Sequence, residues 1–249
     1  MIKITFLGTN GWFDSITGST TSILIEQDEY YIILDAGEEI SKLRRYITYD
    51  KPVYLFLSHF HIDHISGLHT LCMNKFSKGL YIIVPNGGKE ILKQIINAPF
   101  TVPIEKLPYS TEIIEVCEGY TDKFPFKATF LPLLHTTFIL GVRIEINNKV
   151  IAYCTDTSYC ENTVKLDQNA DVLIAECNIR ANMTSSSKIH LNPEMAAKIA
   201  KEAYAKKLIL MQFDASRYLE VKDRTEAELN AQETFPNSYA SFDGLEIEV

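Results

Sequence analysis

The chain of 249 residues has no stretch of about 18 uninterrupted apolar residues, so no membrane-spanning helix is expected. Nor does it begin with a charged segment leading into a cleavable apolar one; Met1-Ile2-Lys3-Ile4-Thr5-Phe6-Leu7 reads as a first strand, and a cytoplasmic location is expected. Cysteine is sparse and odd in number. The five residues Cys72, Cys117, Cys154, Cys160 and Cys177 are scattered and never spaced Cys-x-x-Cys, which argues against a disulfide framework or a cysteine zinc site and predicts reduced core thiols. A strongly basic run is also missing. Net charge is −8, and the densest basic groups are Lys42 with Arg44 and Arg45, and Lys198, Lys201, Lys206 and Lys207, the latter reading as a solvated helix face. A long nucleic acid, which needs a basic face to neutralise its phosphates, is therefore disfavoured as partner. A phosphodiester remains open to an acidic chain if metal ions supply the local positive charge. With no low-complexity linker, no tandem repeat and 46% apolar residues, residues 1–249 are expected to form a single domain.

What the chain does have is Ser58-His59-Phe60-His61-Ile62-Asp63-His64, three imidazoles and a carboxylate within six positions. His59 and His61, two apart, point to the same side of an extended or turning backbone, and Asp63 and His64 follow at the start of the next element, so one cluster could serve two metals. Pro52–Leu57 before it is a short apolar run that reads as a strand buried on both faces, and a helix is expected over 65–78. The cluster then lies where a rigid strand hands over to a loop.

Further strands are expected over 2–7, 22–26, 30–34, 80–84, 127–134, 139–146, 150–153, 172–175, 208–211 and 245–249. Asn147-Asn148 and Gln27–Glu29 read as hairpin turns. Helices are expected over 88–97 and over 192–205, the latter capped by Asn192 with Pro193 at its first position; 98–122 reads as loop with a short strand. Mixed segments in this order suggest two sheets face to face with helices outside. Isolated metal-capable residues fall at other strand ends: His135 after 127–134, Asp156 after 150–153, Glu176 after 172–175, and His190 before the capped helix. His69 alone of the six histidines reads as a surface residue. Trp12, Phe13 and Phe138 read either as an aromatic wall over the site or as core packing.

The order His59-x-His61-x-Asp63-His64, His135, Asp156 resembles the metallo-β-lactamase superfamily. Finer likeness to its ribonuclease Z-like and phosphodiesterase branch lies in Phe-Leu-Gly-Thr-Asn (6–10), Ile-Leu-Asp-Ala-Gly-Glu (33–38), Leu-Ile-Ala-Glu-Cys (173–177), and His190-Leu191 with the segment 208–218. The resemblance implies a four-layer αββα sandwich of the α/β class with His59, His61 and His135 on one zinc, Asp63 and His64 on a second, and Asp156 bridging. It also implies a relay of Asp63, Glu176 and His190 in which His190 donates a proton or holds a phosphate oxygen. The family's last histidine ligand is replaced by Gln212, which implies weaker occupancy of the second site, a harder metal such as Mn2+, substitution by Asp214, or a chain that keeps the fold without catalysis. The long basic arm of ribonuclease Z is not found. The expected activity is hydrolysis of a small cyclic or nucleotide phosphodiester by a metal-bound hydroxide; alternatives are transfer RNA 3′ processing and lactone or thioester hydrolysis. A homodimer is common among similar proteins, and no membrane partner is expected.

Overall fold

The computed structural model describes residues 1–183 and 189–249. In chain order its first strands are β1 (Lys3–Gly8), β2 (Asn10–Gly11), β3 (Ser22–Glu26), β4 (Tyr31–Leu34), β5 (Val53–Phe56), β6 (Leu80–Pro85), β7 (Thr111–Val116) and β8 (Gly119–Thr121). Next come β9 (Lys127–Pro132), β10 (Leu140–Ile146), β11 (Lys149–Cys154), β12 (Val172–Glu176), β13 (Leu208–Met211), β14 (Phe213–Asp214), β15 (Ser238–Ala240) and β16 (Glu246–Glu248). The α-helices are α1 (Ile62–Ile65), α2 (Gly88–Ile95), α3 (Glu161–Asp167), α4 (Pro193–Glu202) and α5 (Val221–Thr234). Among the described residues no helix is long and apolar enough to cross a membrane.

These elements form two compact units. The first comprises Met1–Gly8, Ser19–Cys117 and Asp243–Glu248, and its seven strands run β16-β1-β3-β4-β5-β6-β7. Pairing is antiparallel from β16 to β4 and parallel from β4 to β7. Central β3 and β4 are apolar and buried almost throughout, as strands covered on both faces must be. One core packs Ile33, Leu55 and Ile82 of the sheet against Leu43, Leu68, Leu71 and Leu92 from the segments that cover it.

The expected helix over 65–78 is corrected. The α-helical turn ends at Ile65, and Ser66–Met73 continues as a 3-10 helix. The cause is a pair of foreign hydrogen bonds: the Ala36 N–H takes the His64 carbonyl at 2.8 Å, and the Gly67 N–H goes to the Ala36 carbonyl at 2.9 Å, so the usual i to i−4 bonds of this turn are diverted. Gly67 permits the approach, since a Cβ there would lie 2.3 Å from the Gly37 oxygen. The segment 98–122 also differs, holding a short 3-10 helix (Ile104–Lys106) as well as β7 and β8. Both strands lie at sheet edges and are only part-buried, which explains their weak apolar pattern.

The second unit comprises Thr9–Gly18 and Glu118–Phe242 with Val249, and its seven strands run β15-β13-β12-β11-β10-β9-β8. Pairing is parallel from β15 to β11 and antiparallel from β11 to β8, and β2 pairs in parallel with β14. Asn147 and Asn148, at φ 50 and 62, form the two-residue turn that pairs Ile146 with Lys149. Helix α4 starts where its cap predicts: the Asn192 side chain accepts from the Met195 N–H at 2.9 Å, with Pro193 at the first helical position. Cys154 and Cys177 are buried thiols as expected, but Cys72 and Cys160 are only partly buried and Cys117 is exposed, because it sits in the link just after edge strand β7.

Asp167, at the end of α3, is fully buried, and neither carboxylate oxygen meets a hydrogen-bond donor among the described residues. Burial pushes its pKa from 3.8 up to about 9, against the pull of Arg143. A folded pKa above the unfolded one means that stability from this group is full in acid and falls as pH rises towards 9. At pH 7 the loss is roughly 4 kcal/mol. Asp167→Asn, which cannot ionise, is expected to melt above the wild type at about pH 8, with a flatter dependence of melting temperature on pH between roughly 5 and 9. Parallel pH profiles of the two proteins would contradict this assignment.

Candidate metal centre

In the first unit the parallel pairing of β4 with β5 brings Asp35, just past the end of β4, beside Ser58, just past the end of β5. Asp35 has φ 57 and is fully buried. Its Oδ1 accepts the Ser58 N–H at 2.7 Å, and its Oδ2 accepts the Ser58 hydroxyl at 2.8 Å and His64 Nδ1 at 2.7 Å. Because a carboxylate only accepts, His64 carries its proton on Nδ1, and Nε2 is its acceptor nitrogen. Ser58 has committed its proton to Asp35, so its oxygen accepts from His59 Nδ1 at 3.0 Å, and His59 likewise keeps Nε2 as acceptor. One carboxylate thus sets the tautomer of two histidines, the form in which imidazole binds a cation.

Around them the donors are crowded. The His59 ring centroid lies 4.5 Å from that of His61 and 4.3 Å from that of His64, and His64 Nε2 is 3.6 Å from Asp63 Oδ2. His59 and His64 are buried, while His61 and Asp63 are partly exposed. Sequence reasoning gives these four a role as ligands but gives none to Asp35 or Ser58, although both stand in quoted motifs. The signal lies in Leu34-Asp35-Ala36-Gly37 and in the residue before His59; reading it requires knowing that β4 and β5 are neighbours.

In the second unit His135 follows β9, Asp156 follows β11 at φ 42, Glu176 ends β12 and His190 precedes α4. The loops of the first two are pinned together by the Leu134 N–H on Thr157 Oγ1 at 3.2 Å and the Ser158 N–H on the Leu134 oxygen at 3.0 Å. His135 Nε2 lies 4.0 Å from Asp156 Oδ2, and Asp156, Glu176 and His190 each offer an atom within 4.8 Å of the others. Buried Glu176 receives the Thr157 N–H, the Asn178 N–H at 3.3 Å, and His190 Nδ1 at 3.0 and 3.1 Å from its two oxygens. Burial opposes a charged imidazole, but the Glu176 carboxylate outweighs it and pushes the His190 pKa up to about 9. For Glu176 burial pushes the pKa upward against the pull of His190. The pair therefore shares a proton between His190 Nδ1 and the two Glu176 oxygens.

Gln212 is buried between β13 and β14 at φ 55, with Gly11 leaving room for it: a Cβ on Gly11 would sit 3.2 Å from its Nε2. Asp214 is not a ready substitute. Its Oδ1 takes the Ser216 N–H and hydroxyl at 2.8 and 2.6 Å, and its Oδ2 takes Arg217 Nε at 2.8 Å. Trp12, Phe13 and Phe138 are 68, 46 and 58% exposed, which removes core packing as their role. His69 is exposed, as expected of a surface residue.

The profile of the Beta-lactamase superfamily domain matches residues 30–213, and the chain belongs to that family. It is a metallo-hydrolase of the metallo-β-lactamase sandwich fold, the α/β class expected from its motifs. Among similar sequences, Probable metallo-hydrolase YhfI of Bacillus subtilis (strain 168) is 29% identical over 218 residues, covering 84% of this chain and 86% of that protein. The crystal structure of YhfI matches with a TM-score of 0.82 at 27% identity, covering 100% of both chains. Ribonuclease Z of Prochlorococcus marinus (strain MIT 9301) is 27% identical over 317 residues, covering 100% of both. The structure of a diphosphatase from the PhnP family shares the fold, with a TM-score of 0.76 at 17% identity over 100% of this chain and 98% of the other.

Proposed function

We propose that the chain is a divalent-metal phosphodiesterase acting on small cyclic or nucleotide phosphodiesters. The observation that carries this is the buried Glu176 with both oxygens on His190 Nδ1, which holds a proton donor beside the candidate ligand Asp156. The donor set fits the metal. His59 and His64 keep Nε2 as acceptor, and the 3.6 Å between His64 and Asp63 and the 4.0 Å between His135 and Asp156 are close to the spacing of ligands on one ion. In this proposal His59, His61 and His135 would hold one zinc and Asp63 and His64 a second with the Gln212 amide, Asp156 being a ligand available to either. When bound, such ions neutralise phosphate oxygens and acidify water. The Gln212 amide oxygen is a harder and weaker donor than imidazole nitrogen, so the second ion is the weaker or is a harder metal such as Mn2+.

The protein's own groups complete the chemistry. His190, protonated and fixed through Nδ1, gives the Nε2 proton to the departing ester oxygen, and Glu176 stabilises the positive form beforehand. A thioester makes less use of this pair, because a thiolate leaves without needing a proton. Processing of transfer RNA is the second reading, favoured by the likeness to ribonuclease Z. Against it stand the net charge of −8 and an alignment of 317 positions to a chain of 249, so the relative carries stretches that this chain lacks.

The test is hydrolysis of bis(p-nitrophenyl) phosphate by metal-replete protein. Turnover that is lost on chelation and restored by added zinc or manganese is expected; an inert protein with full metal content would sink the proposal, and cleavage confined to a precursor transfer RNA would install the second reading.

A further inference from the structure

The first unit contains a cavity of about 300 Å³ whose lining includes Ile62, Ile65, Leu68, His69, Ile96 and Phe100. Its floor is apolar and well buried, with Ile65, Leu68 and Ile96 at 8, 3 and 2% exposure, whereas Ile62 and Phe100 are 73 and 76% exposed and form its mouth. Ile62 and Ile65 open and close α1, the helical turn whose two middle residues are the candidate metal ligands Asp63 and His64. A single helical turn therefore presents donors and cavity wall together. Ile62, exposed at the mouth, immediately precedes Asp63, so the cavity opening borders the candidate ligands on the same turn.

Resting on the phosphodiesterase proposal, we infer that this cavity is the subsite for an uncharged aromatic ring carried by the substrate's phosphate, a nucleobase or aryl group. The named lining carries no Asp, Glu, Lys or Arg, so a charged group would be desolvated there without a partner. Phe100 supplies an aromatic ring at the mouth, and planar rings pack against such a ring better than flexible chains do. The volume lies at the lower end of small-ligand pockets, with room for one ring system and none for a structured RNA. His69 supplies a directional contact. Its Nδ1 donates to the Ser66 carbonyl at 2.7 Å, which leaves Nε2 as acceptor, and Thr101 Oγ1 steadies the segment by donating to the His69 carbonyl at 3.2 Å. A ring N–H or exocyclic amino group is the matching donor.

The experiment is equilibrium binding of phenyl phosphate and of methyl phosphate to the metal-loaded protein and to Phe100→Ala, whose exposed side chain can be removed without opening the core. The wild type is expected to bind phenyl phosphate about tenfold more tightly than methyl phosphate, and Phe100→Ala to lose that preference without weakening methyl phosphate. Equal affinity of the two ligands for the wild type, or the same fractional loss for both in Phe100→Ala, would overturn the subsite. Turnover of bis(p-nitrophenyl) phosphate is measured alongside: a ring preference in a protein without turnover keeps the subsite and removes the phosphodiesterase proposal, and turnover without a ring preference does the reverse.

Discussion

His190→Ala is expected to lower turnover of an aryl phosphodiester by about 10²- to 10⁴-fold, the range for loss of a positioned proton donor, while the metal content stays at the wild-type value. The expectation rests on which nitrogen is engaged. Nδ1 of His190 sits 3.0 and 3.1 Å from the two oxygens of buried Glu176, so the ring can neither turn nor lose that proton without stranding a carboxylate. The donor role fixes the sign of the pH dependence. A donor must be protonated, so wild-type turnover falls as alkaline pH strips His190, and His190→Gln should lose that limb. An opposite division of labour is open to measurement, since Asp156, Glu176 and His190 could themselves converge on an ion. Loss of a stoichiometric ion from His190→Ala would make His190 a ligand and end its role as donor.

The second large effect is at a residue that touches no substrate. Asp35→Asn is expected to weaken metal binding by about 10- to 100-fold, as removal of a partner that orients a ligand does. The asparagine can still accept from Ser58 through its oxygen, but its amide nitrogen donates where Asp35 Oδ2 accepted from His64. His64 is then driven to accept on Nδ1 and to carry its proton on Nε2, the nitrogen required for the cation. Asp35→Ala should be worse, leaving the Ser58 amide and the His64 ring buried without their acceptor at about 1–3 kcal/mol each. Competition against a chelating indicator measures the affinity, and thermal melting separates it from loss of fold. Unchanged affinity in Asp35→Asn would show that the tautomer is set by something other than this carboxylate.

The division between what the sequence makes legible and what it hides follows burial. Ser22–Glu26 and Leu208–Met211 coincide with β3 and β13 because a strand covered on both faces is simply an apolar run. Edge strands β7 and β8 are half-exposed and lose that pattern. Helix α5 is invisible for a different reason: its buried positions are Asp223, Arg224, Ala227 and Ala231, so the inward face carries no large apolar side chain. Arg224 is spent on hydrogen bonds to Thr9 and Asn10, a use that only the pairing of distant segments reveals. At the candidate site the motif residues announce themselves by type and spacing. Asp35 and Ser58 do not, because their work is done on other side chains through a strand pairing that no local pattern encodes. Gln212 is legible as a departure from the family pattern, whereas its burial and its φ of 55 are not.

Titration of the metal-free protein with zinc, reading turnover of bis(p-nitrophenyl) phosphate against equivalents of bound ion, tests the central proposal most directly. Turnover that is low at one equivalent and rises until a second, weaker equivalent is bound is the expected result, because Gln212 supplies a weakly donating amide oxygen where the family pattern has imidazole. A protein that binds two equivalents and hydrolyses the diester no faster than its His61→Ala counterpart would contradict it.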